Sequence, residues 1–205
     1  MKTTLYIVRH GTTKWNEEKR MQGMKDIPLS PKGIEEAKRV AEELKKHTVH
    51  AIYTSSLSRA YETARAIARY HVVLIHKKDE LREGNFGVFE GLTWDELINH
   101  ELILSRPKNI DRFYDKTGDG ESIHELYLRT SREIDAILAK HNKESVVIVS
   151  HGMAIKSMFY HLGLVSKEDI EKIQIDNARA YTIEYNHIDR IATPINFTLS
   201  YWTDK

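Results

Sequence analysis

Four short stretches of the chain are almost wholly apolar and largely β-branched: residues 5–8 (LYIV), 51–54 (AIYT), 72–75 (VVLI) and 146–149 (VVIV). A strand with one wet face alternates, whereas a strand covered on both faces runs continuously apolar. These four predict strands buried on both faces. Between them the period changes to that of a helix. "SPKGIEEAKRVAEELKKH" opens with Ser30 as an N-cap and Pro31 in the first turn, and ends in basic residues. "SRAYETARAIARYH" sets Ala60, Ala64, Ile67 and Ala68 on one face, and from 122 to 141 the apolar positions Leu126, Ile134, Ile137 and Leu138 again follow helical spacing. Strand alternating with helix predicts an α/β fold with a largely parallel sheet.

Two segments break this rhythm. Residues 100–120 are irregular and polar and run into "KTGDGES", which predicts a surface insertion or lid within one domain of 1–205. The tail "YTIEYNHIDRIATPINFTLSYW" partly alternates and predicts a hairpin or edge strands, with no role legible for 186–205.

Composition narrows the function classes. The 205 residues carry 31 Lys plus Arg against 30 Asp plus Glu, so no basic excess points to nucleic acid and no charge block to a membrane surface. There is no cysteine, which excludes disulfides and thiolate chemistry. The first apolar run is too short for a signal peptide, and none is long enough to span a bilayer, so the expected location is cytoplasmic. The oligomeric state is not readable.

The chemistry lies where the strands end. In an α/β sheet, ligands bind beyond the carboxyl ends of the strands. Arg9 and His10 follow the first predicted strand, Ser55 to Arg59 the second, Glu83 and Gly84 come after the third, and His151 and Gly152 follow the fourth. Two imidazoles, two guanidiniums and a carboxylate could therefore converge on one rim. Such a cationic cup suits a phosphoryl group, because guanidinium forks match phosphate oxygens and glycine lets an anion approach the backbone. Each residue also has a plainer reading. A single strand-end histidine is more often structural, Arg59 could pair with Glu62, Glu83 could be a turn carboxylate, and Asn16 could cap a turn. His47, His50, His71, His100 and His141 lie in polar stretches and are expected to face solvent. No pair among them has metal-ligand spacing with carboxylates, so no metal or other cofactor is expected.

"RHGTTKWN" resembles the signature of the histidine phosphatase superfamily, the phosphoglycerate mutase-like proteins. The resemblance continues in order through "RMQGMKDIPLSPKG", "IYTSSLSRAYETARAI", "LREGNFGVFEGLTWDEL", "GESIHEL" and "VVIVSHGMAI", reaching about Tyr185. It implies a mixed, mainly parallel central sheet flanked by helices. It implies that His10 is the nucleophile that becomes phosphohistidine. Arg9, Arg59 and His151 would clamp the phosphoryl oxygens, His151 as the imidazolium. Asn16, Gln22, Gly23 and the Gly152 backbone would lie in the phosphate site, and Glu83 would protonate the leaving group while His10 is neutral.

The family contains hydrolases, mutases and members that lost the catalytic histidine and only bind. The mutases are expected to carry a longer lid and a lysine just after the glutamate block. Here that block reads "EGLTWDEL", with Thr93 and Trp94, and the lid's basic residues Arg106, Lys108 and Arg112 are scattered. The resemblance thus implies a metal-independent phosphomonoester hydrolase of the broad-specificity phosphatase branch. Its partner would be a small phosphorylated metabolite, with a phosphoglycerate mutase or a phospho-ligand binding module as alternatives. Phe86, Phe89, Trp94 and the 103–114 segment could contact substrate or belong to the core.

Overall fold

A computed structural model describes residues 1–116 and 119–201. Parts of the expected insertion (117 and 118) and tail (202–205) lie outside the described residues. In chain order the elements are β1 (Lys2–Arg9), α1 (Lys14–Glu17), α2 (Pro31–Leu44), β2 (Ala51–Ser55), α3 (Ser58–Ala68) and β3 (Ile75–Lys78). There follow α4 (Trp94–Ile98), α5 (Glu101–Leu104), α6 (Ile123–Lys140), β4 (Ser145–Ser150), α7 (Gly152–His161), β5 (Ile173–Gln174), β6 (Ala180–Asn186), β7 (Ile191–Pro194) and β8 (Ser200–Tyr201). Short 3-10 turns cover Asp79–Leu81 and Gly87–Phe89.

Six strands form a mixed sheet in the order β3-β2-β4-β1-β6-β7. The first four are mutually parallel, β6 runs antiparallel to them, and β7, antiparallel to β6, runs in their direction again. Side chains alternate across a strand, so each continuous apolar run feeds two cores. Leu5, Ile7, Tyr53, Val146 and Ile148 face the side covered by α6 and α7. Tyr6, Val8, Ile52, Val147 and Val149 face α2 and α3. Helix α2 begins as its sequence predicts, with Ser30 Oγ accepting from the Gly33 N–H and Pro31 at the first position. Helix α6 begins with a capping box of Ser122 and Glu125. The expected helical faces are the buried ones: Ala60, Ala64 and Ile67 on α3, and Leu126, Ile134, Ile137 and Leu138 on α6.

Two expectations are corrected. The run 72–75 is not a strand buried on both faces. Val72 and Leu74 are exposed, and β3 starts only at Ile75, at the sheet edge with β2 as its one neighbour. Nor does His141 face solvent. It is 6% exposed, between Tyr53 Oη at 2.8 Å and Glu144 at 2.6 Å, because α6 ends where the chain turns back into β4. The tail forms a β6–β7 hairpin on the sheet's other edge, and β8 pairs with β5. No helix among the described residues is long and apolar enough to cross a membrane.

Candidate active site

Because β1, β2 and β4 are parallel and in register, their carboxyl ends share one edge of the sheet. Arg9 lies beside Ser150, and Thr54 beside Val149. His10 extends this row by donating its N–H to the Ser150 carbonyl at 3.0 Å. The loop after His10 packs directly on the start of α2. A Cβ on Gly11 would stand 2.4 Å from the Gly33 carbonyl oxygen, so only hydrogen fits there. Thr63 Oγ1 accepts the Gly11 N–H, and the buried Glu36 accepts the Thr12 N–H. From the other side Asn177 Nδ2 donates to the His10 carbonyl at 2.8 Å, and the Ala178 N–H to that of Arg9.

This cradle fixes the imidazole. His10 is 2% exposed, and its Nδ1 is 2.7 Å from the Gly11 carbonyl. A carbonyl only accepts, so Nδ1 carries the proton and Nε2 keeps its lone pair. Burial pushes the His10 pKa well below the ordinary 6.5, and the Arg59 and Arg9 charges push the same way. The ring is held neutral and in one tautomer, with the Nε2 lone pair available.

The two arginines around it feel the charge of Glu83, but neither makes a close ion pair with a carboxylate among the described residues. Arg59 is fully buried, yet no carboxylate among the described residues pairs with it; the Arg59–Glu62 pair does not form. It donates from Nη1 to the Lys25 carbonyl, from Nη2 to the Gly23 carbonyl and from Nε to His151 Nδ1. Burial lowers its pKa to about 10, which leaves it cationic at neutral pH. Arg9 binds the Ile175 carbonyl through Nη1, but its Nε is buried with no partner. A buried N–H without an acceptor costs about 1–3 kcal/mol, and buried unpaired charges cost more. Both penalties fall when an anion enters.

His151 lies 5.0 Å from His10, ring to ring. Its Nδ1 takes the Arg59 Nε–H, so the proton is on Nε2, 2.7 Å from Ser55 Oγ. Burial first, then Arg59, His10 and Arg9, hold its pKa well below 6.5. Adding a proton would place a third positive charge beside Arg59 and Arg9, which biases His151 toward its neutral form until negative charge enters the site.

Glu83 does more than follow a strand. Its Oε1 accepts from the Gly84 and Ala154 N–H groups and its Oε2 from the Met153 N–H, at 3.0, 3.1 and 3.2 Å. It therefore caps α7, whose own N-cap residue His151 makes no side-chain cap bond. A carboxylate has about four acceptor positions; the one left is on Oε2, which lies 3.6 Å from where a Gly152 Cβ would be, beside the Arg9 guanidinium.

The remaining expected residues divide. Asn16 completes the capping box of α1, its Oδ1 accepting from the N–H and the Oγ1–H of the N-cap Thr13. Gln22 is 8% exposed with its Oε1 buried and unpartnered. Gly23 adopts φ +52°, and a Cβ there would strike Glu90, whose carboxylate accepts the Met24 N–H. Asn177 and Lys156 carry no sequence signal, and Ser55 is legible only as a strand-end position. Asn177 holds the His10 carbonyl and Ser55 the His151 ring. Lys156, also buried, points at the Glu171 carbonyl, and burial lowers its pKa to about 8. No group of three His, Asp or Glu side chains among the described residues could hold a metal ion.

The two neutral imidazoles link stability to pH. An unfolded histidine binds a proton near 6.5, whereas the folded His10 and His151 do not. Their contribution is thus complete above about 6.5 and is lost as pH falls, by about 1.4 kcal/mol per unit for each. Urea unfolding from pH 7 to 5.5 is expected to show this slope, shallower by one such increment in His10→Gln. An unchanged slope in the variant would mean that His10 is not held neutral.

The sequence profile of the histidine phosphatase superfamily (branch 1) matches residues 5–197. A phosphoglycerate mutase-like protein 4 from Arabidopsis thaliana is 38% identical over 173 residues, 82% of this chain and 74% of the relative. Phosphoserine phosphatase 1 from Hydrogenobacter thermophilus is 28% identical over 199 residues, 95% of this chain and 92% of the relative. Among solved structures, a histidine-to-alanine mutant of phosphoserine phosphatase from Entamoeba histolytica in complex with phosphoserine superposes with a TM-score of 0.83. It is 29% identical, and the match covers 95% of this chain and 96% of that one. With the strand-end histidines and arginines in place and the profile matched over nearly its whole length, the chain belongs to the histidine phosphatase superfamily.

Proposed function

We propose that the protein is a metal-independent phosphomonoester hydrolase that acts on a small phosphorylated metabolite through a phosphohistidine. One observation carries this reading: a neutral His10, with Nε2 free, stands beside the fully buried Arg59 and the half-buried Arg9, neither within ion-pair distance of a carboxylate among the described residues. A phosphate monoester supplies the missing negative charge, and the arginines then stabilise the charge of the transferring group. His10 Nε2 forms a bond to phosphorus as the ester P–O bond breaks, and Glu83 passes its proton to the departing oxygen. Water next attacks phosphorus, the N–P bond breaks, and the Glu83 carboxylate takes the water proton. His151 reaches its imidazolium form only once the phosphoryl dianion offsets the charge.

Hydrolysis is favoured over mutase chemistry by the surroundings of the lid. A mutase must hold a second anionic group of its substrate. Here Arg106 pairs with Asp115, Arg112 with Glu171, Lys116 with Glu125 and Lys167 with Asp111. At the position of the mutase-like lysine, Thr93 caps α4 in a capping box with Glu96. A purely binding role is disfavoured because the nucleophile, both arginines and the carboxylate are all present.

The test is phosphate release from p-nitrophenyl phosphate and a panel of phosphorylated metabolites, phosphoserine included, with phosphoglycerate interconversion measured in parallel. Hydrolysis is expected to exceed interconversion even with bisphosphoglycerate added. Faster interconversion would make the protein a mutase, and neither activity would make it a binding module.

A further inference from the structure

We infer that Arg129, locked by Glu121, is a positioning residue that fixes the turn carrying Glu83, and so sets the efficiency of proton transfer to the leaving group. This rests on the acid–base reading of Glu83. Residues 80–85 belong to no strand or α-helix, so no ladder holds them in place. The hold comes instead from α6. Arg129 Nη1 donates to the Glu80 and Arg82 carbonyls, both at 2.8 Å, and Nη2 to the Glu83 carbonyl at 2.6 Å. The other two N–H groups go to Glu121, Nε to Oε1 at 2.8 Å and Nη2 to Oε2 at 2.9 Å. All five guanidinium donors are thereby used.

Glu121 also joins the same turn directly. Its N–H donates to the Asn85 carbonyl at 2.7 Å, and its Oε2 accepts the Asn85 N–H at 3.3 Å. Ser150 Oγ holds the one carbonyl of the series that Arg129 misses, that of Leu81. Glu83 is thus gripped at both ends, its backbone by Arg129 and its carboxylate by the N-terminus of α7. A lysine keeps the charge but cannot span three carbonyls and a carboxylate from one nitrogen.

The effect is specific to the proton. Phenoxide is a poor leaving group and needs protonation, whereas p-nitrophenoxide leaves as a stable anion. Arg129→Lys and the near-isosteric Glu121→Gln are each expected to lower kcat on phenyl phosphate by about 10- to 100-fold. The loss on p-nitrophenyl phosphate is expected to be several-fold smaller. In a Glu83→Gln background, Arg129→Lys is expected to add no further selective loss, since the group it positions has already lost its function. Equal losses on both esters, or full additivity with Glu83→Gln, would reduce Arg129 to a structural role and overturn the inference. If Glu83→Gln alone is selective and Arg129→Lys is not, the inference alone falls. If Glu83→Gln is itself unselective, the acid–base reading fails and takes the inference with it.

Discussion

Replacing His10 with alanine is expected to lower turnover by at least about 10⁴-fold, as loss of a covalent nucleophile does elsewhere, while the protein stays folded. No second nucleophile stands ready. His151 lies in the same cup, but its Nδ1 is committed to Arg59 and its Nε2 to Ser55. Water would have to attack a dianion without the covalent step. The fold should survive, because the loop bonds of Gly11, Thr12 and Asn177 are made without the ring. The lost bond leaves the Gly11 carbonyl short of one donor, about 1–3 kcal/mol. Substrate should still bind, since Arg9, Arg59 and His151 remain. The measurements are steady-state phosphate release, labelling with ³²P-substrate followed by gel electrophoresis, and calorimetric binding of the ester. A labelled phosphoenzyme in the variant, or turnover within about tenfold of wild type, would rule out His10 as the phosphoryl carrier.

Glu83→Gln carries the second large effect. An amide has no transferable proton, so the variant should lose the about 10²- to 10⁴-fold that a positioned acid supplies. That loss should appear on phenyl phosphate and alkyl esters such as phosphoserine, and be far smaller on p-nitrophenyl phosphate. The substitution also disturbs α7: one of the two carboxylate oxygens that accept the Met153 and Ala154 N–H groups becomes an NH₂ facing a donor. A modest drop in thermal stability is therefore expected alongside the kinetic loss, and kcat ratios between esters separate the two. If both kinds of ester lose the same factor, the proton comes from elsewhere. Glu90 would then be the next carboxylate to replace, since its charge reaches Arg59.

Much of this site could be read from local signals. Arg9, His10, His151 and Gly152 are legible because an apolar run ending abruptly in polar groups marks a strand end, and parallel strand ends build ligand sites. Ser30 with Pro31 announces a helix start whose geometry needs only neighbours in the chain. The run 72–75 misled because β-branched composition reports strand propensity, not whether a second strand lies alongside. His141 misled because its neighbours in sequence are polar, while its ring is enclosed by Tyr53, 88 residues away in the chain.

The sequence by itself determined the alternation of strand and helix, the helix caps, and which side chains reach the sheet edge, since these follow from period and adjacent residues. Only the tertiary structure decided their chemical state. His10 is neutral because burial and two arginines from separate elements surround it, and His151 is neutral for the same reason. Glu83 became the cap of α7, and Arg129 the brace of the Glu83 turn, through hydrogen bonds spanning 71 and 46 residues. Charge and proton position depend on every group within a few ångströms and on how much water is excluded, and a linear pattern encodes neither.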